Sequence, residues 1–201
     1  HAAIAGDLDI MGGDMSDLTI LPGLVDQTVE KLGGLHLHVK HAGIQKSEHW
    51  TEVSTETVLR QWTANMLAPL RLCQLVHKRF KDQKFGRVIN ISSVQSRGGN
   101  AWMIGYSMSK SGMDNLTRAL NRDRDWISSG VTVNSIVPGW FDTLRNEREF
   151  KTEEDKLKAG SRTVPVGRIG TKDDCAGLAV LLCSKAGEYI TGEMIGVTGG
   201  I

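Results

Sequence analysis

Tyr106 and Lys110 stand four positions apart at the start of a stretch with helical spacing, so both side chains fall on one helical face. A tyrosine with its ordinary pKa near ~10 is a poor base at neutral pH, but a neighbouring ammonium stabilises the phenolate. Such a phenol can pass a proton to a carbonyl oxygen, or take one from an alcohol, while a hydride moves at carbon. By itself the pair is weak, because a surface Lys–Tyr pair at this spacing also arises by chance. Ser93 adds context. It lies thirteen residues before Tyr106 and leaves the apolar run Val88-Ile-Asn-Ile91. In an open α/β sheet, ligands bind where the strands end, and a serine there can hydrogen-bond the same substrate oxygen. A second apolar run, Thr132-Val-Asn-Ser-Ile-Val137, stops at Pro138-Gly139; the proline ends the strand and the glycine lets a ligand approach the backbone.

These residues need a scaffold, and the hydrophobic pattern supplies one. Strands of a parallel sheet are covered on both faces and read as short continuous apolar runs. Five such runs occur, at residues 2–5, 35–39, 88–91, 131–137 and 194–197. Between them lie stretches of helical period at 21–32, 57–80, 107–127 and 173–183, the last behind an N-cap at Thr171. Alternation of strand and helix predicts an α/β fold, a doubly wound parallel sheet with helices on both faces, in one domain over residues 1–201. Residues 141–164 interrupt the rhythm with a run of charges. They read either as a solvated helical insertion or as a lid over a substrate pocket.

The bulk properties of the 201 residues narrow the function class. With 40% hydrophobic and 23% charged residues, the chain is neither disordered nor membranous. No apolar run approaches the ~18–20 residues that span a bilayer, and no signal peptide is visible. A net charge of +1 with interspersed signs argues against nucleic acid as a partner. Cys73, Cys175 and Cys183 form no CxxC pair and read as reduced thiols of a cytoplasmic protein. His36 and His38 share a strand face, with His41 close by, but no carboxylate or cysteine completes a set; no metal is expected, and a buried His38 would need a partner.

Ile91-Ser-Ser93, Tyr106-x-x-x-Lys110, Pro138-Gly139-Trp-Phe-Asp-Thr143 and the closing Gly192-Glu-Met-Ile-Gly-Val-Thr-Gly-Gly200 together resemble the short-chain dehydrogenase/reductase family, in order and at ordinary spacing. The resemblance implies NAD or NADP as cofactor and a small alcohol or carbonyl compound as substrate: a sugar, a polyol or a 3-oxoacyl compound. It implies Tyr106 as general acid/base, Lys110 stabilising its phenolate and bonding the nicotinamide ribose, Ser93 positioning the substrate, and Asn65 holding a water in a proton relay. Asp7 and Leu8 would meet the adenine end of the cofactor, and Ala42 and Gly43 its ribose. Pro138, Gly139, Phe141 and Thr143 would hold the nicotinamide and its phosphate, with Trp102 and Trp140 beside the substrate. The helices beginning near Thr57 and Ser107 resemble those through which family members form homotetramers.

Two features depart from the family pattern. No glycine-rich turn between strand and helix delivers a pyrophosphate to a helix N-terminus, so the chain reads as lacking the family's first βαβ segment. A sheet without that strand is expected to expose an apolar edge. Lys40 and His41 stand where the family usually has two asparagines, and a lysine there lacks an evident counter-charge. These departures keep a second reading open, a non-catalytic interaction module or inactive fragment on the same scaffold. Elimination without net redox change is a third, which the retained Lys110 disfavours.

Overall fold

The computed structural model describes residues 10–143 and 152–201. The strand expected at 2–5, Asp7 and Leu8, and residues 144–151 of the charged segment lie outside them. Four strands, β1 (Leu37–Lys40), β2 (Gly86–Ile91), β3 (Val131–Pro138) and β4 (Met194–Val197), pair in chain order, all parallel. Parallel neighbours need crossovers, and helices provide them. From β1 to β2 the chain runs through α2 (Thr55–Trp62), a π-helical turn (Thr63–Leu67) and α3 (Ala68–Asp82). α4 (Ile104–Leu120) and α5 (Arg124–Ile127) join β2 to β3, and α6 (Glu153–Thr163) and α7 (Lys172–Cys183) precede β4. α1 (Leu21–Leu32) packs on α3 and ends at Gly33, whose φ of 70° is the left-handed stop that glycine adopts freely.

Both faces of the sheet carry a core, as the continuous apolar strands require. Val88, Val131 and Val133 pack with Cys73, Val76 and Phe80 of α3 and with Trp126 of α5. On the opposite face Ile89 and Ile136 meet Leu182 of α7. The doubly wound α/β arrangement expected from the pattern is therefore the one observed. β1 is the outer strand, with no neighbour on its far side among the described residues. Its Leu37 and Val39 are 44% and 48% exposed, while His38 and Lys40 turn inward.

Polar bonds set the rotation of α4 on the sheet. Asn90 Nδ2 donates to Thr117 Oγ1 at 2.7 Å, and that hydroxyl also pairs with Ser135 Oγ at 2.8 Å, all three residues being buried. Thr117 shares a helical stripe with Met113, Lys110 and Tyr106. Fixing Thr117 to β2 and β3 therefore aims the other three at the sheet, with Tyr106 in the first turn of α4.

Candidate active site

Lys110 is buried and donates from Nζ to the carbonyl oxygen of Ile91 at 2.7 Å, which ties α4 to the last residue of β2. Two residues on, Ser93 turns the chain, its Oγ accepting from the amide of Gln95 at 3.2 Å. Lys110 Nζ also lies 5.7 Å from the centre of the Tyr106 ring. The ammonium is thus bonded to the strand end two residues before Ser93 and lies near the ring of Tyr106. Tyr106 itself is partly buried.

Asn65 reaches the same place from the crossover. It sits in the wide turn between α2 and α3, and Pro69, four residues later, has no N–H to continue an α-helical ladder back to it. Fully buried, Asn65 accepts from Ile44 N at 2.8 Å through Oδ1. Its Nδ2 donates to Ile44 O at 2.8 Å and to Ser109 Oγ at 3.0 Å. Ser109 in turn donates to the carbonyl of Tyr106 at 2.7 Å. One amide therefore pins the loop after β1 to the first turn of α4. Ser109 escaped the sequence reading; its signal was a small polar residue three positions after Tyr106, beside Lys110.

Gly43 completes the group. A methyl at its Cα would stand 3.1 Å from Asn65 Oδ1 and 3.6 Å from Lys110 Nζ, so the absent side chain leaves room beside the ammonium. Ala42 and Gly43 are both exposed. At the end of β3, Gly139 donates to Val197 O at 2.9 Å, and a Cβ there would meet the Thr198 backbone at 2.8 Å. The room that Gly139 makes is thus taken by the chain leaving β4. Phe141 forms an isolated bridge with Gly170 and lays its ring where that glycine has no side chain. Thr143 is exposed. The structure brings together Gly43, Asn65, Tyr106 and Lys110, with Ser93 attached through Ile91. Pro138, Gly139 and Phe141 lie at the neighbouring strand ends.

The two aromatic residues expected beside the substrate differ in setting. Trp102 is 60% exposed, its ring edge-on to His49 at 4.9 Å, in a loop held to residues 48–50 by backbone bonds. Trp140 is partly buried and accepts from Gly170 N at 2.9 Å.

Lys40 and His41 part company. His41 is exposed, whereas Lys40 is buried and donates to Cys73 Sγ on α3 at 2.8 Å. His38, on the same face, is partly buried with its Nε2 enclosed and unbonded, so the partner expected for that nitrogen is not found among the described residues. Burial, and secondarily the charge of Lys40, push its pKa down to about 3. An open cavity of about 620 Å³ lies elsewhere, lined by Trp62, Asn100, Ile104, Met108 and Ser111. Those α4 residues lie on the side of the helix away from Tyr106 and Lys110, so the cavity is not the chemical site.

Known proteins resemble this chain along most or all of its length. The family model described as enoyl-(acyl carrier protein) reductase matches residues 1–201. A 2-dehydro-3-deoxy-D-gluconate 5-dehydrogenase of Dickeya dadantii is 32% identical over 188 residues, 93% of this chain and 73% of that protein. A 3-oxoacyl-[acyl-carrier-protein] reductase of Aquifex aeolicus is 32% identical over 171 residues, 84% of this chain and 66% of that one. Among solved structures, a gluconate 5-dehydrogenase from Burkholderia cenocepacia in complex with NADP and tartrate superposes with a TM-score of 0.83 at 24% identity, covering 93% of this chain and 72% of that one. Among the described residues no helix is long and apolar enough to cross a membrane. With a family model matched over the whole chain, relatives at 32% identity and the same fold, the chain belongs to the short-chain dehydrogenase/reductase family of oxidoreductase enzymes.

Proposed function

We propose that this enzyme, an oxidoreductase of the alcohol/ketone type, moves a hydride between NAD(H) or NADP(H) and a secondary alcohol or ketone on a sugar, sugar acid or polyol. A 3-oxoacyl thioester is the other substrate class. Convergence of Gly43, Asn65 and Lys110 on the strand end leading to Ser93 carries this reading. Tyr106 is the general acid/base, its hydroxyl giving a proton to the substrate oxygen during reduction or taking one during oxidation. Lys110 stabilises the phenolate by its charge, and Ser93 hydrogen-bonds the same substrate oxygen. Asn65 keeps the loop after β1 and the first turn of α4 in register and holds the relay water.

The space left by Gly43 beside Lys110 fits a cofactor ribose, with Ala42, Pro138, Gly139, Phe141 and Thr143 along the same strand ends and Asp7 and Leu8 at the adenine end. The bound nicotinamide supplies or accepts the hydride; every proton is handled by the side chains just named. Residues 141–164 serve as the lid over the substrate, α6 being fastened to the end of β3 by the Lys156–Asp142 ion pair. The protein acts in the cytoplasm as a homotetramer, an assembly that the exposed Leu59, Ile104 and Met108 on α2 and α4 favour. Light scattering tests the assembly; a monomer at micromolar concentration contradicts it.

The deciding experiment follows absorbance at the nicotinamide band with NAD+ and NADP+ against aldonic acids, polyols and aldoses, and with the reduced cofactors against 3-oxoacyl thioesters. Turnover is expected in the first group. A flat trace with every pair, from protein of native circular dichroism, overturns the proposal.

A further inference from the structure

We propose that Lys40 and Cys73 are the two ends of a reversible oxidative cross-link, in which one oxygen atom bridges Lys40 Nζ and Cys73 Sγ. The observation is the environment that the two side chains share. Lys40 is 5% and Cys73 2% exposed, and nitrogen and sulfur stand 2.8 Å apart. That separation is close for an N–H···S contact and near what a single inserted oxygen spans. Among the described residues, Lys40 has no carboxylate within ion-pair distance, and the sulfur is its hydrogen-bond partner. Cys73 belongs to the buried apolar cluster that includes Val76, Phe80 and Val88. With both partners enclosed, a small oxidant reaches the pair more readily than bulk thiols, which would divert an oxidised sulfur into a mixed disulfide. Neither residue serves the chemistry proposed above, so this inference stands apart from it.

The oxidant is hydrogen peroxide, and two equivalents are consumed. The S–H bond and two of the ammonium N–H bonds break, one S–O and one N–O bond form, and three waters and one proton are released. Sulfur and nitrogen each lose two electrons, and each peroxide accepts two. Two equivalents of a dithiol return the four electrons and release the bridging oxygen as water. The bridge fastens the last residue of β1 to α3, three residues before Gly43.

Tryptic mapping of the full chain tests it. Peroxide is raised until Cys175 or Cys183 is oxidised, which shows that the reagent is working. The expected product joins residues 32–46, uncut after the modified Lys40, to residues 72–78. Its mass exceeds the sum of the two peptides by about 14 Da, one oxygen gained and two hydrogens lost. Dithiothreitol abolishes it, and Lys40→Arg, which keeps the positive charge, does not form it. Cleavage after Lys40 with Cys73 found as free thiol, sulfinic acid or disulfide overturns the proposal, and this arm needs no variant to fold.

Discussion

Replacing Asn65 with alanine tests the joint on which the site geometry turns. The side chain is fully buried and makes three hydrogen bonds, two to the backbone of Ile44 and one to Ser109. Truncation strands the N–H and the carbonyl of Ile44, whereas Ser109 keeps its bond to Tyr106. A buried polar group deprived of its partner costs about 1–3 kcal/mol, and the partial exposure of Ile44 favours the lower half, giving roughly 2–4 kcal/mol in all. For a domain of this size each kcal/mol lowers the midpoint by about 2–4 °C. Scanning calorimetry should then find Asn65→Ala melting roughly 4–16 °C below the parent. Asn65→Asp retains the acceptor for Ile44 N but loses the donor, and should fall between the two. An alanine variant that melts within about 2 °C of the parent would refute the reasoning, because the three bonds would then contribute nothing.

A methyl on Gly86 would stand 2.2 Å from Phe80 Cδ2, so Gly86→Ala should destabilise by about 1–3 kcal/mol in urea unfolding, and Phe80→Leu in the same chain should recover part of that loss. Gly130 has φ 88°, and its Cβ would meet the backbone oxygen of Lys84 at 2.6 Å; Gly130→Ala should therefore cost more than the Gly86 change and resist rescue by side-chain trimming. His38 is held neutral by burial. Above pH 6.5 its ring is uncharged in both states. As pH falls from 6.5 toward about 3 the unfolded chain takes up a proton that the folded chain refuses, and stability declines by up to about 1.4 kcal/mol per unit. His38→Leu should flatten that acid limb, and parallel limbs for the two proteins would show that the ring is not buried neutral.

Much of the fold was legible because it rests on local patterns. The apolar stripe of residues 21–32 and the run 194–197 coincide with α1 and β4, and Thr171 caps α7 through a capping box with Asp174. The long stretch 57–80 read as one helix because apolar period alone cannot show a π turn; Pro69 was the available clue, since it removes an N–H inside an otherwise helical run. Likewise the stretch 107–127 begins earlier, at Ile104, and breaks after Leu120, where Asp123 caps the short α5. Tyr106 and Lys110 were legible from spacing within one helix. The contacts that bind them to the rest were not, because Asn65 with Ser109 and Lys40 with Cys73 lie 44 and 33 residues apart. Such pairs depend on the packing of α3 and α4 against the sheet, which no local pattern encodes.

The central claim is that the phenol of Tyr106, beside the ammonium of Lys110, moves the proton while the hydride moves at carbon. Single-turnover rates for the parent and Tyr106→Phe, at saturating cofactor and with cofactor affinity measured in parallel by fluorescence, address it most directly. The account predicts a rate loss of roughly 100-fold or more with affinity nearly unchanged. A phenylalanine variant that turns over at the parental rate would contradict it.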